Sequence, residues 1–146
     1  MKIYQSLADA SRYRAGALIP QQILFGLALA SDAKLRLLDE TRNDLRLGQE
    51  FCVVFESLAS KGRAFEPDSE SAATIASGIG EFVSETDIGR FREPLRDTKG
   101  VFDDLLANRE ADPARIRAAS RTMERIADLA KAKLRRRSDS ELMAQV

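Results

Sequence analysis

DPARIRAASRTMERIADLAKAKLRRR, residues 112–137, decides how the rest of the chain is read. Asp112 suits a helix N-cap, and Pro113 suits the first helical position, where a missing N–H costs nothing. Beyond them Ile116, Ala119, Met123, Ile126, Ala127, Ala130 and Leu134 fall within about a third of a helix circumference. Arg117, Arg121, Arg125, Lys131 and Arg135 fall on the opposite face. The spacing predicts one amphipathic helix over 113–137, with one side for a core and the other for solvent or a charged ligand. Such an apolar arc needs other helices to cover it.

Upstream segments supply them. Ile3, Leu7, Ala10 and Tyr13 step by three and four, which predicts a first helix over about 3–16. Gly16 and Pro20 are expected to interrupt it. Pro20 then opens a second helix, IPQQILFGLALA, on which Leu24, Leu27, Ala28, Ser31, Leu35, Leu38 and Leu45 hold the period, with a buried entry and a wetter exit. Ser31–Asp32 could break it, and Gly48 separates it from the next. Leu47, Phe51, Val54, Phe55 and Leu58 mark a central helix, apolar on more than one side because of Cys52 and Val53. Gly62 is its stop. After a polar connector at 61–72, Asp68, Ser69 and Ser71 offer caps for a helix carrying Ile75, Ile79, Phe82 and Val83. Gly78 and Gly80 weaken it by about 1 kcal/mol each. Thr86–Asp87 starts a short turn holding Ile88 and Phe91, Pro94 ends it or begins the next turn, and Thr98 opens a further helix bearing Val101, Phe102, Leu105 and Leu106. Ser138 and Glu141 fit a capping box for a short, frayed end piece. The chain is read as all-α: a single-domain helical bundle of five to seven helices over 1–137, with 138–146 as a tail.

Composition narrows the function. The 146 residues carry 23 basic and 23 acidic side chains, so no global field favours a polyanion. One cysteine, Cys52, excludes an internal disulfide and suits a reducing compartment, so a cytoplasmic location is expected. The longest apolar run, ILFGLALA at 23–30, is too short for the roughly 20 residues of a membrane span. With no histidine, the commonest acid–base group is missing and an E-x-x-H metal motif cannot form. Cys52 has no imidazole to activate it and is expected to be an inert core thiol. No glycine-rich phosphate loop follows a strand. These absences predict a non-catalytic protein, with no cofactor, no metal site and no evident small-molecule substrate.

Charge is unevenly spread. Residues 1–108 hold 13 basic and 17 acidic residues, whereas 109–137 hold 10 and 4. The five cations above could follow a nucleic-acid backbone or an acidic partner. Glu124 and Asp128 share their face and could neutralise them as ion pairs. The helix macrodipole could account for Arg135, Arg136 and Arg137 at a C-terminus. RRRSDS also has the form of a basophilic phosphorylation site at Ser138.

VSETDIGRF, within 75–93, resembles the end of a DNA-binding helix-turn-helix. The resemblance implies that Ser84, Glu85, Thr86 and Arg90 face DNA while Val83, Ile88 and Phe91 pack beneath. Pro94 is expected to cut that recognition helix short. Three roles therefore stand. The first is a non-catalytic subunit or adaptor, using the broad apolar surfaces of 20–30 and 49–60 to assemble with a protein partner or with itself. The second is a nucleic-acid-binding accessory subunit using the 113–137 helix. The third is a DNA-binding regulator.

Overall fold

Glycine and proline do not stop the first helix. In the computed structural model, which describes residues 2–32 and 39–144 and the side chains of 15–31, 39–62, 64–136 and Met143, α1 runs unbroken from Lys2 to Asp32. The two helices expected around Gly16 and Pro20 are thus one. An interior proline costs about 3 kcal/mol. Ile23 and Leu27 are fully buried and Ile19 nearly so, and each such side chain contributes about 1.5–3 kcal/mol. Packing on both sides of Pro20 therefore outweighs the local break. Ile3, Leu7, Ala10 and Tyr13 lie on α1, but their side chains fall outside the described residues, as do Leu35 and Leu38 altogether.

The same override recurs twice. α2 spans Asp39–Lys61 and passes straight through Gly48. The glycine is needed for contact: a Cβ there would sit 2.5 Å from Cζ of the fully buried Phe102. α4 spans Glu85–Leu106, taking in both Pro94 and Thr98. Phe91, Leu95, Thr98, Val101 and Phe102 are buried along it, so neither Pro94 nor Thr98 is a boundary. The Thr98 hydroxyl is satisfied by donating to the Pro94 carbonyl at 2.8 Å.

Other start and stop signals hold. α2 ends at Lys61, and Gly62 takes the left-handed φ of +54° that leads into a short 3-10 turn at Gly62–Ala64. Ser69 caps α3, Glu70–Phe82, by accepting from the Ala72 amide at 3.1 Å. Ser84 rather than Thr86 caps α4 through the Asp87 amide. Asp112 accepts from the Ala114 amide at 2.9 Å and Pro113 opens α5, Pro113–Ala144. α5 is continuous past residue 137, so Ser138 opens no separate helix; the side chains of Ser138 and Glu141 are outside the described residues.

The chain is all-helical, with five α-helices and no strand among the described residues. α1 packs on α2, α3 and α5, α4 packs on α2 and α5, and α2 also touches α3. All five contribute to one core cluster, in which Phe51, Phe55, Phe102, Met123 and Ile126 are among the large, fully buried side chains. The apolar arc of α5 is the expected one: Ala119, Met123, Ile126, Ala127 and Ala130 are buried, with Ile116 and Leu134 half-buried. At the α1–α3 crossing the backbones touch. A Cβ on Gly16 would lie 2.7 Å from the Thr74 carbonyl oxygen and 2.8 Å from the Gly78 Cα.

Candidate functional site

Two surfaces stand out among the described residues. The first is on α1. Ile19, Ile23, Leu27 and Ala30 face the core, while Leu18, Phe25 and Leu29 point out, 61%, 63% and 54% exposed. At the helical step of 100° per residue these three fall within about 40° of one another. They form a stripe distinct from the buried one. Gln22 lies beside it and donates to Asp44 of α2 at 3.0 Å. Sequence reasoning named the breadth of apolar surface over 20–30 but not this face. It took the entry as buried and counted Ala28 and Ser31 in the core period, and both are exposed. The legible signal was the 18–25–29 spacing, one step out of phase with 19–23–27–30. Of the 49–60 surface, Val53 alone is a large exposed hydrophobe among the described residues.

The second surface is on α5. Arg117, Arg121, Arg125, Lys131 and Arg135 are all exposed. Glu124 and Asp128 share their face, yet no ion pair joins these acids to the five cations among the described residues. At its N-terminal end the face opens into a groove of about 880 Å³ between the end of α1, Leu105 of α4 and the start of α5. Arg109, Arg117 and Arg121 line it together with Glu110 and Glu124. Arg109 is held by Asp104 at 3.6 Å, which also takes Arg115 at 3.0 Å.

Several other charges are tied into contacts within the fold. Glu56 of α2 takes Arg92 through two nitrogens, at 2.8 and 3.1 Å, and Arg96 at 2.7 Å. Hydrogen bonds from Arg92 and then Arg96 hold the Glu56 carboxyl down at about 2. Asp103 accepts from Gln49 at 2.6 Å and Lys99 at 2.9 Å. Burial raises its pKa, but the bonds from Lys99 and Gln49 outweigh that and leave it lowered. Arg42 caps the C-terminus of α4, donating to the Leu106 carbonyl at 2.8 Å and to Asn108, whose φ is +58°, at 3.3 Å. Cys52 is buried, and burial pushes its thiol up to about 12. It is protonated at neutral pH and is no nucleophile there.

In the segment resembling a helix-turn-helix, the side chains divide between core and surface as the resemblance implies. Val83 and Phe91 are buried and Ile88 half-buried, while Ser84, Glu85, Thr86 and Arg90 are exposed. α3 packs on α1, α2 and α5, α4 packs on α2 and α5, and Pro94 does not shorten the second helix. Arg90 is turned to Asp87 at 3.3 Å and lies over the Phe91 ring at 5.2 Å. Glu85 and Asp87 occupy the first turn of α4, where a DNA phosphate would meet negative charge. Among the described residues no cluster of three or more His, Cys, Asp or Glu could hold a metal, and no helix is long and apolar enough to cross a membrane. No family model, curated protein or solved structure matches the chain.

Proposed function

We propose that this protein is a non-catalytic helical subunit that assembles with a protein partner, or with itself, through the outer face of α1. The observation that carries this reading is the exposed stripe of Leu18, Phe25 and Leu29. Single exposed leucines are ordinary, but three large exposed apolar side chains share one arc of α1, and apolar surface gathered on one face marks contact sites. The stripe is uncharged, with an aromatic at its centre. That is the composition of the dry middle of an interface, where one anchored aromatic carries much of the affinity. α1 also contacts three other helices, so a partner would dock on a rigid support.

A photoreactive amino acid at Phe25, introduced in the cells that make the protein, tests this directly. A discrete cross-linked product is expected, and it disappears when Leu18 and Leu29 are both changed to Asp. Light scattering on the purified chain distinguishes self-association from a separate partner. A monomer at every concentration, with no cross-linked product in cells, would overturn the reading.

A further inference from the structure

The α5 arginines beyond Arg115 have surroundings unlike those of the arginines of α2 and α4. All five arginines of α2 and α4 are engaged: Arg42 with Leu106 and Asn108, Arg46 with Asn43, Arg90 with Asp87, and Arg92 and Arg96 with Glu56. On α5, Arg115 is engaged with Asp104. From Arg117 onward the described cations make no ion pair and no side-chain hydrogen bond to a described residue.

Neither structural explanation accounts for them. Glu124 and Asp128 do not pair with them. The macrodipole does not explain them either, because α5 continues to Ala144 and its last turn holds no basic residue. The cations therefore lie mid-helix, beyond the reach of a terminal dipole. Arg117, Arg121 and Arg125 even repeat at the four-residue spacing at which like charges repel. That spacing does not favour the helix, and it places five cations on one face against two acids, Glu124 and Asp128.

We infer that the α5 face from Arg117 to Arg135 binds the phosphate backbone of a nucleic acid without reading its sequence. The 18 steps between these residues span about 27 Å, the length of roughly eight base pairs. Residues 113–137 contain no aromatic to stack on bases and no Asn or Gln to read adenine. Arginine can also read guanine, so the comparison of GC-rich with AT-rich duplex separates phosphate contact from base readout. The inference rests on α5 alone and does not depend on assembly through α1.

Fluorescence anisotropy of the full chain tests it, with a mixed-sequence duplex of about 20 base pairs and single-stranded DNA and RNA of the same sequence. Five phosphate contacts predict that duplex affinity falls roughly 500-fold between about 50 and 200 mM salt. Single strands show a shallower slope, about three-quarters as steep, which tells the two forms apart. Arg121→Glu with Arg125→Glu should weaken low-salt binding at least about tenfold and flatten the duplex slope by about two units. Arg117→Gln with Arg135→Gln, at the two ends, should flatten it similarly without adding negative charge. Exchanging GC-rich for AT-rich duplex should leave affinity nearly unchanged. No binding to any probe at low salt would overturn the inference, as would an unchanged slope in both variants. Tighter binding to polyglutamate than to every nucleic acid would overturn it too, and would mark an acidic protein as the partner.

Discussion

At the residue scale, what a side chain touches decides the sign of a substitution more than its type does. Gly48 and Gly89 are both helix-interior glycines, and on propensity alone alanine should stabilise both. At Gly89 a Cβ meets nothing within 4 Å, so Gly89→Ala should raise unfolding free energy by about 0.5–1 kcal/mol. At Gly48 the same atom drives into the Phe102 ring, which is fully buried and cannot swing aside. Gly48→Ala should therefore lower stability by about 1–3 kcal/mol, as overpacking does. Urea denaturation of both variants checks the opposite signs. Glu56 gives a second residue-level expectation. Its folded pKa of about 2 lies below the ordinary 4.5, so its contribution is complete above pH 4.5. That contribution is lost as pH falls from 4.5 towards 2. Glu56→Gln should lower the thermal midpoint at neutral pH and lose less of it across that window. Parallel wild-type and variant curves of Tm against pH would refute the role of the Arg92–Glu56–Arg96 contact.

At the element scale, legibility in the sequence followed the size of the local signal. α5 was readable because the Asp112–Pro113 start, the apolar arc and the opposed cations all agree. The breaks expected at Gly16, Pro20, Gly48, Pro94 and Thr98 rested on local preferences worth about 1–3 kcal/mol each. Burial of Ile23, Leu27, Phe51 or Phe102 outweighs such terms, and that burial depends on neighbours distant in sequence. Gly78 shows the difference: read as a weak point in a helix, it is half of a backbone contact with Gly16. Either glycine changed to alanine forces α1 and α3 apart, because the nearest obstructions are main-chain atoms. Gly16→Ala and Gly78→Ala should each cost about 1–3 kcal/mol. Once one has separated the helices, the second meets less resistance, so the double variant should cost clearly less than the sum. A double-mutant cycle by urea unfolding measures this, and strict additivity would show that the two positions do not share a contact.

At the scale of the whole molecule, the two candidate surfaces were legible to different degrees. A helical wheel places Arg117, Arg121, Arg125, Lys131 and Arg135 on one face, but it cannot say whether Glu124 and Asp128 pair with them. For α1 the wheel says less, because a helix apolar on most sides offers two stripes and only packing chooses which is buried. The surfaces share no residue: one is Leu18, Phe25 and Leu29, the other the cations of α5. Phe25 is more than half exposed, so Phe25→Asp removes apolar contact area without opening the core. Arg121 and Arg125 are exposed and make no ion pair or side-chain hydrogen bond to a described residue, so reversing their charge breaks no bond among the described residues. Each change should therefore act on its own surface alone. Phe25→Asp is expected to abolish assembly and leave the salt dependence of duplex binding unchanged. Arg121→Glu with Arg125→Glu is expected to flatten that dependence and leave the assembled mass unchanged. In the combined variant the free-energy changes should add within about 0.5 kcal/mol, as for distant sites with no shared partner. A flattened salt dependence in Phe25→Asp alone would contradict that independence, because it would mean that α5 grips phosphate only when α1 has brought subunits together.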